Sequence, residues 1–207
     1  MTDLELLQDF EDMLNSFRSD INYYNTITKI SESTEQRPRR AIFNVNKIFC
    51  FDEFSSLVAN TLNIGHHKSV DGLYFIRKRN NIEFIFIEFK NILFNRADYD
   101  DFKKDMNCEF RIKALESVFS VFPHLIDLQF DNIKAKKLRS LFYKSKKRYY
   151  CVLNLYGVPN TSNAQSIINS DYLSVKRLSK YPFFEVELFS PPTFNAVINS
   201  TINTNNP

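Results

Sequence analysis

The residues best suited to chemistry are two acids and a lysine inside aromatic and β-branched runs. Asp71 begins the run DGLYFIRKR, and Glu88 and Lys90 end the run IEFIFIEFK. Two asparagines separate the runs, and asparagine tolerates the positive φ that a two-residue hairpin turn requires. The pattern therefore predicts antiparallel strands at 71–79 and 82–90 joined by a tight turn.

The register of this hairpin decides whether the three groups meet. We expect Arg79 to face Ile82 across the turn. Lys90 then lies opposite Asp71, with Glu88 as the diagonal neighbour, about 7–8 Å away at the backbone. Glu88 and Lys90 share a face because side chains alternate along a strand. Two carboxylates so placed can hold Mg²⁺, or Mn²⁺ in its place, and the ammonium can assist proton transfer or stabilise phosphate charge.

A structural alternative is a cross-strand salt bridge between Asp71 and Lys90 at the sheet end, with Glu88 in solvent. Exposed pairs of this kind contribute only ~0–1 kcal/mol. Against it, the face that carries the acid and the lysine also carries Phe84 and Phe86. A buried apolar face rarely contains charges without a use for them.

The order of these residues resembles the motif of the PD-(D/E)XK nuclease superfamily. Asp71 precedes Glu88-Phe89-Lys90 on the adjacent strand, and Val70 stands where the motif's name has proline. The resemblance implies that Asp71 and Glu88 are metal ligands and that the backbone carbonyl of Phe89 is a third. It also implies that Lys90 is the catalytic lysine.

Many members of this superfamily also place a glutamate on the helix before the hairpin, and Glu53 matches that position. The resemblance implies an α/β (α+β), restriction-endonuclease-like fold, in which a central mixed sheet flanked by helices carries the active site on its hairpin. It further implies a magnesium-dependent endonuclease that acts on DNA. The motif-bearing core would span roughly 52–156.

Other elements of the sequence must support the hairpin. Apolar residues spaced by three and four predict a helix from Met1 to about Ile30. Thr2 and Glu5 form a capping box at its start, and a short strand is expected within 41–51. The remaining predictions are helices at 52–63, 100–107, 110–122 (ended by Pro123) and 133–143, and strands at 149–156 and 183–189.

A basic segment follows the predicted core helices, without an acidic residue inside it. Its cations can neutralise phosphates, and Tyr143, Tyr149 and Tyr150 beside them can stack on unpaired bases. A solvated helix face followed by a basic loop is the alternative. The predicted nucleic-acid contacts are Lys134, Lys136, Lys137, Arg139, Lys144, Lys146, Lys147 and Arg148.

Two adjacent histidines, His66 and His67, shortly precede the first acid of the hairpin. They could reach the same cleft to contact phosphate or carry a proton, but neighbouring side chains on a strand point oppositely, so at most one would enter. The alternative is a pair of loop histidines without a role.

Length and composition indicate how the chain is organised and where it is located. The chain has 207 residues, 43% of them hydrophobic, with a net charge of +3. We expect an N-terminal helix and basic loop (1–40), a nuclease-like core (41–192) and a flexible polar tail (193–207). No apolar stretch is long enough to cross a bilayer, and the three cysteines form no CxxC pair. The expected location is the cytoplasm, without a membrane partner.

Two other functions are compatible with the sequence. The chain could be a nuclease-like protein that binds DNA without cutting it, or an interaction module that uses Phe10 and Phe17 of the N-terminal helix. The same helix could serve a homodimer, as in nucleases that cut both strands.

Overall fold

The computed structural model describes residues 2–32, 41–93, 108–156, 164–166, 168 and 174–205. A six-stranded mixed sheet flanked by helices forms its centre, in the order β1-β2-β3-β4-β5-β6. The predicted α+β class with a central mixed sheet is thereby confirmed. The strands are β1 (Tyr24–Thr26), β2 (Lys47–Cys50), β3 (Gly72–Lys78), β4 (Asn81–Leu93), β5 (Lys146–Tyr156) and β6 (Glu185–Phe189).

Helices occupy most of the remaining described chain. A π-helical segment, Ser117–Val121, joins α4 to α5, and a 3₁₀ segment, Ser174–Lys180, precedes β6. The helix predicted at 100–107 lies outside the described residues. The helices are α1 (Asp3–Ser16), α2 (Ile27–Ile30), α3 (Phe51–Leu62), α4 (108–116), α5 (Phe122–Gln129), α6 (Asn132–Lys144) and α7 (Pro191–Asn205).

The β3–β4 hairpin forms as predicted, but its turn lies one residue earlier. Lys78 pairs with Asn81, so the predicted pairing of Arg79 with Ile82 is wrong. Each partner therefore shifts by two positions, an even number that leaves every side chain on its predicted face. At the other end, Gly72 pairs with Ile87, so Asp71, which precedes the first, and Glu88, which follows the second, lie side by side.

The other strand pairings extend the sheet on both sides of the hairpin. The strand expected within 41–51 is β2, which pairs antiparallel with both β1 and β3. After β4 the chain crosses through α4, α5 and α6 and returns in β5, which is parallel to β4, and β6 is parallel to β5. Such a crossover is how parallel neighbours are connected.

The N-terminal helix is shorter than its periodicity suggested. The capping box of Thr2 and Glu5 is present, but α1 ends at Ser16 rather than near residue 30. A turn follows, in which the carboxylate of Asp20 accepts the amide hydrogen of Asn22. This local bond competes with helix continuation and lets the chain turn back into β1.

Both faces of the sheet are covered. On one face Phe10 of α1 packs edge-on to Phe84 and stacks on Phe122. On the other face α7 buries Phe194 and Ile198. The prediction of a flexible tail is therefore wrong for 193–205, because the few apolar residues among its asparagines and threonines lie on one side of a helix. The segments before residue 40 and after residue 192 therefore belong to the same sheet or pack on it, together with the predicted core.

Pro123 does not end the helix that contains it. Proline lacks an N–H and its ring clashes with the carbonyl four residues earlier. The π segment Ser117–Val121 precedes it and widens the helix at this point. The helix then continues through α5 to Gln129.

Candidate active site

A cleft of about 710 Å³ opens at the end of the hairpin. Asp71, just before β3, and Phe89 and Lys90 of β4 line it, and Asp52 and Glu53 line it from the start of α3. The predicted site residues of the hairpin and of the preceding helix thus meet at one place. Glu88, the remaining predicted ligand, lies buried beneath this surface.

Asp71 is fixed by the neighbouring strand. Its Oδ2 accepts the backbone N–H of Phe89 at 2.6 Å, and its Oδ1 lies 3.8 Å from the Nζ of Lys113 on α4. The hydrogen bond ties the first residue before β3 to β4 and orients the carboxylate at the cleft.

Glu88 is the most enclosed acid of the site, with only 1% of its surface exposed. Its Oε1 accepts a hydrogen bond from the Nζ of Lys113 at 2.7 Å, whereas its Oε2 is buried without a partner among the described residues. The salt-bridge alternative is therefore wrong about this glutamate, which is not solvated. Its ion pair is made to Lys113, and the described residues show none between Asp71 and Lys90.

Lys113 is the site residue that sequence reasoning missed. It contacts both acids from a helix more than twenty residues away in sequence. A signal was present in the helix itself, since Phe110, Ala114 and Val118 form its buried stripe. Position 113, three residues after Phe110, lies on the edge of that stripe, and a lysine there needs an acidic partner.

The acid on α3 that interacts with this cluster is Asp52. Its Oδ1 accepts the hydroxyl of Ser69 at 2.5 Å, and its negative charge raises the pKa of Asp71. The predicted Glu53 lines the same cleft, where its charge raises the pKa of Cys50, as that of Asp52 also does, and the pKa of Tyr23. The geometry favours Asp52 over its neighbour for a role at the hairpin acids.

Lys90 is half-buried at the cleft, where its charge lowers the pKa of Asp71. It has no ion pair with any residue in the described part of the chain. Its ammonium is therefore available to a ligand that enters the cleft.

The electrostatics of the cluster leave excess negative charge in a buried place. Burial raises the pKa of Asp71 to about 7, against the opposing charge of Lys113. Burial and the neighbouring Asp71 raise the pKa of Glu88 well above its ordinary value. Burial alone would lower the pKa of Lys113, but the two carboxylates raise it. Three acids, including Asp52, thus lie near two amines, Lys113 and Lys90, so the ionised acids carry one negative charge more than the amines balance, which favours a further cation.

The donor set fits a hard divalent ion. Two carboxylates and a backbone carbonyl are oxygen ligands of the kind that Mg²⁺ and Mn²⁺ take, and the unpartnered Oε2 of Glu88 is a buried acceptor that lacks a donor. Within the described ranges, no group of three or more His, Cys, Asp or Glu side chains is arranged to hold a metal by itself.

The predicted nucleic-acid interface is smaller than its sequence suggests, because partners come from other elements. Lys134 pairs with Asp9 at 2.7 Å, and Arg139 with Asp127. The exposed cations that remain are Lys136, Lys137, Lys144 and Lys146.

Lys147 is turned inward. It is buried, and its Nζ donates to the carbonyls of Phe142, Tyr143 and Ser145 at the end of α6. The prediction is wrong for Lys147, since a buried side chain that completes internal bonds is not available to phosphates. Arg148 is partly exposed and lies 3.3 Å from Glu83, so it is paired in the same way as Lys134 and Arg139.

The prediction that Tyr149 and Tyr150 stack on bases is also wrong, because both are buried in the sheet. Tyr143 is 41% exposed and keeps that possibility.

The histidines belong to a separate cluster. The Nε2 of His67 lies 3.1 Å from the hydroxyl of Ser120, and its Nδ1 lies 3.7 Å from Glu116. His124 stacks on the same ring at 6.3 Å between centroids. His66 is exposed, and none of these residues lines the cleft.

No helix in the described part of the chain combines the length and the apolar character needed to cross a membrane. Comparison with protein-family models, with curated proteins and with solved structures gives no match to this chain.

Proposed function

We propose that the protein is a metal-dependent nuclease of the PD-(D/E)XK type that hydrolyses phosphodiester bonds in DNA. One observation carries the proposal: Glu88 is buried beside Asp71 at a cleft, and its Oε2 has no partner among the described residues. An unsatisfied buried carboxylate oxygen costs about 1–3 kcal/mol or more. A fold that keeps this cost at a cleft is consistent with a site that a ligand completes. The predicted cytoplasmic location is part of the same proposal.

In this proposal Asp71, Glu88 and the carbonyl of Phe89 hold the ion, with Asp52 rather than Glu53 as the neighbouring acid of α3. Bound Mg²⁺ would neutralise phosphate charge and lower the pKa of a water molecule.

The protein's own groups position the ligands and the substrate. Phe89 N–H holds the Oδ2 of Asp71, so that this carboxylate keeps one orientation. Lys113 holds the Oε1 of Glu88 and leaves the Oε2 for a ligand. Lys90 has a free ammonium at the cleft, where it can orient the attacking water or stabilise the charge that develops on the phosphate.

The test is cleavage of DNA by purified protein with Mg²⁺ or Mn²⁺. Plasmid, linear duplex and single-stranded substrates are compared, because the site geometry does not select among them. We expect Lys90→Ala to lower the cleavage rate by roughly 10²–10³, the usual effect of removing one group that stabilises transition-state charge. Glu88→Gln is expected to abolish cleavage.

The matched control is Arg79→Ala, which removes an exposed cation at the hairpin turn, at the opposite end of β3 from the cleft. It should cleave at a rate close to that of the wild type under low salt. Equal cleavage by wild type, Lys90→Ala and Glu88→Gln would reveal a contaminating nuclease and overturn the proposal.

A second candidate is a nuclease-like protein that binds DNA without cutting it. The ion pair of Lys113 with Glu88 favours it, because a protein cation already neutralises one oxygen of the central acid. This candidate predicts salt-sensitive DNA binding without a metal requirement, weakened by Lys136→Ala with Lys137→Ala and unchanged by Glu88→Gln.

A further inference from the structure

Exposed aromatic side chains cluster at one place on the surface. Phe119, Tyr143 and Tyr181 are 41%, 41% and 68% exposed, and Phe184, three residues after Tyr181 in the chain, is 60% exposed. Phe43 is the one other aromatic residue of comparable exposure in the described ranges. We call the first three side chains the aromatic platform.

The platform is assembled from three separate elements. Phe119 comes from the π segment, Tyr143 from the last turn of α6, and Tyr181 from the turn after the 3₁₀ segment. The ring of Phe119 lies between the others, 6.1 Å from Tyr143 with 25° between planes and 5.8 Å from Tyr181 with 36°. The three rings thus form a row in which Phe119 contacts both tyrosines.

Exposed lysines adjoin two of the platform residues in the chain, since Lys144 follows Tyr143 and Lys180 precedes Tyr181. A third exposed lysine, Lys146, has its Nζ 4.6 Å from the ring centroid of Phe184. Asp127, whose charge acts on Tyr143, is paired with Arg139. The net charge at the platform favours an anionic partner with flat apolar groups.

We propose that the aromatic platform binds unpaired bases of a single-stranded nucleic acid, with the flanking lysines on its phosphates. Aromatic rings and backbone-tracking cations are the combination by which proteins hold single strands. In a duplex the base faces are stacked on one another, so the platform selects strands with unpaired segments.

The proposal deepens the nuclease function, on which it rests for its substrate class. Phe119 follows Lys113 by six residues on one helical run, so the helix that contacts Asp71 and Glu88 also carries a ring of the platform. An unpaired tail held on the rings would then lead its strand toward the acids.

The test is fluorescence anisotropy of a labelled oligothymidylate of about 12 nucleotides, measured in EDTA so that no cleavage occurs. We expect Tyr181→Ala and Phe119→Ala each to weaken binding roughly 5- to 100-fold, the range for loss of one stacked base. Tyr181→Phe keeps the ring and should bind within about twofold of the wild type. A duplex of equal length should bind all four proteins alike.

Circular dichroism of each variant establishes that the fold is intact. Binding of the oligonucleotide by both alanine variants as tightly as by wild type would overturn the proposal, as would equal losses on duplex. A wild type that binds no single strand would also overturn it. Because Glu88→Gln is expected to bind oligothymidylate normally, failure of cleavage and failure of this platform are distinguishable.

Discussion

At the scale of single residues, the candidate site concentrates buried charge that the fold does not fully satisfy. Lys113 neutralises one oxygen of Glu88 at 2.7 Å and stands 3.8 Å from Asp71. A buried ion pair of this kind contributes little net stability, since desolvation offsets the attraction. Because the Oε2 of Glu88 stays buried without a partner among the described residues, the cluster is better explained by ligand binding than by stability.

The raised pKa of Asp71 predicts how stability depends on pH in metal-free protein. Its folded pKa of about 7 exceeds its ordinary value of 3.8, so between these values the folded state binds more protons than the unfolded state. The contribution of this group to the free energy of unfolding is therefore full below about pH 4 and is lost as the pH rises through 7. We expect Asp71→Asn to remove this fall, as measured by urea unfolding in EDTA from pH 4 to 8.

Glu53→Gln is the control for that series, because this exposed acid lies at the same cleft outside the cluster. It should keep the pH dependence of the wild type. A pH dependence of Asp71→Asn identical to that of wild type would contradict the burial of the Asp71 carboxylate.

The three hairpin residues could be identified from the sequence because strand alternation places them on one face whatever the exact turn. Lys113 could not, since its contact with Glu88 depends on where α4 packs against the sheet. The choice between Asp52 and Glu53 also depended on the rotation of α3, which adjacent positions in a sequence do not reveal.

At the scale of elements, a residue predicted to bind nucleic acid instead completes the end of a helix. The basic segment crosses from α6 into β5, and the carbonyls at a helix end need donors. Lys147, the second residue of β5, supplies them, with burial lowering its pKa to about 8. A lysine in a basic run can therefore be a structural cap.

Removal of this cap should cost stability without affecting nucleic acid binding. We expect Lys147→Ala to lower the free energy of unfolding by about 2–4 kcal/mol, because several helix carbonyls lose a charged donor. Lys146→Ala, at the adjacent exposed position, should change it by less than about 0.5 kcal/mol. Urea unfolding at pH 7 measures both, and equal effects of the two substitutions would contradict the capping role.

Element boundaries were predicted less well than element types, for local reasons. The hairpin turn lies one residue earlier than predicted, since Arg79 and Asn80 form it rather than the two asparagines. Pro123 was accommodated by a π segment, and the last helix formed from a sequence of low apolar content. For the last helix, the packing of Phe194 and Ile198 against the sheet outweighed the local preference.

At the scale of the whole molecule, the two faces of the sheet differ in what packs on them. Its α7 face is covered and apolar, whereas the opposite face carries the helix bundle in which α4 contributes Lys113 and continues into the π segment that contributes Phe119. One continuous helical run thus connects the candidate active site to the aromatic platform. The central mixed sheet was predictable from strand patterns, but this alignment of two surfaces along one helix required the packed structure.

The most direct test of the account is calorimetric titration of metal-free protein with Mn²⁺ at pH 7.5. We predict binding by the wild type and by Glu53→Gln, and binding at least about 10-fold weaker for Glu88→Gln, with circular dichroism showing that each variant is folded. Equal affinity of Glu88→Gln and wild type for Mn²⁺, or no binding by wild type, would contradict the claim that Asp71 and Glu88 form a divalent cation site.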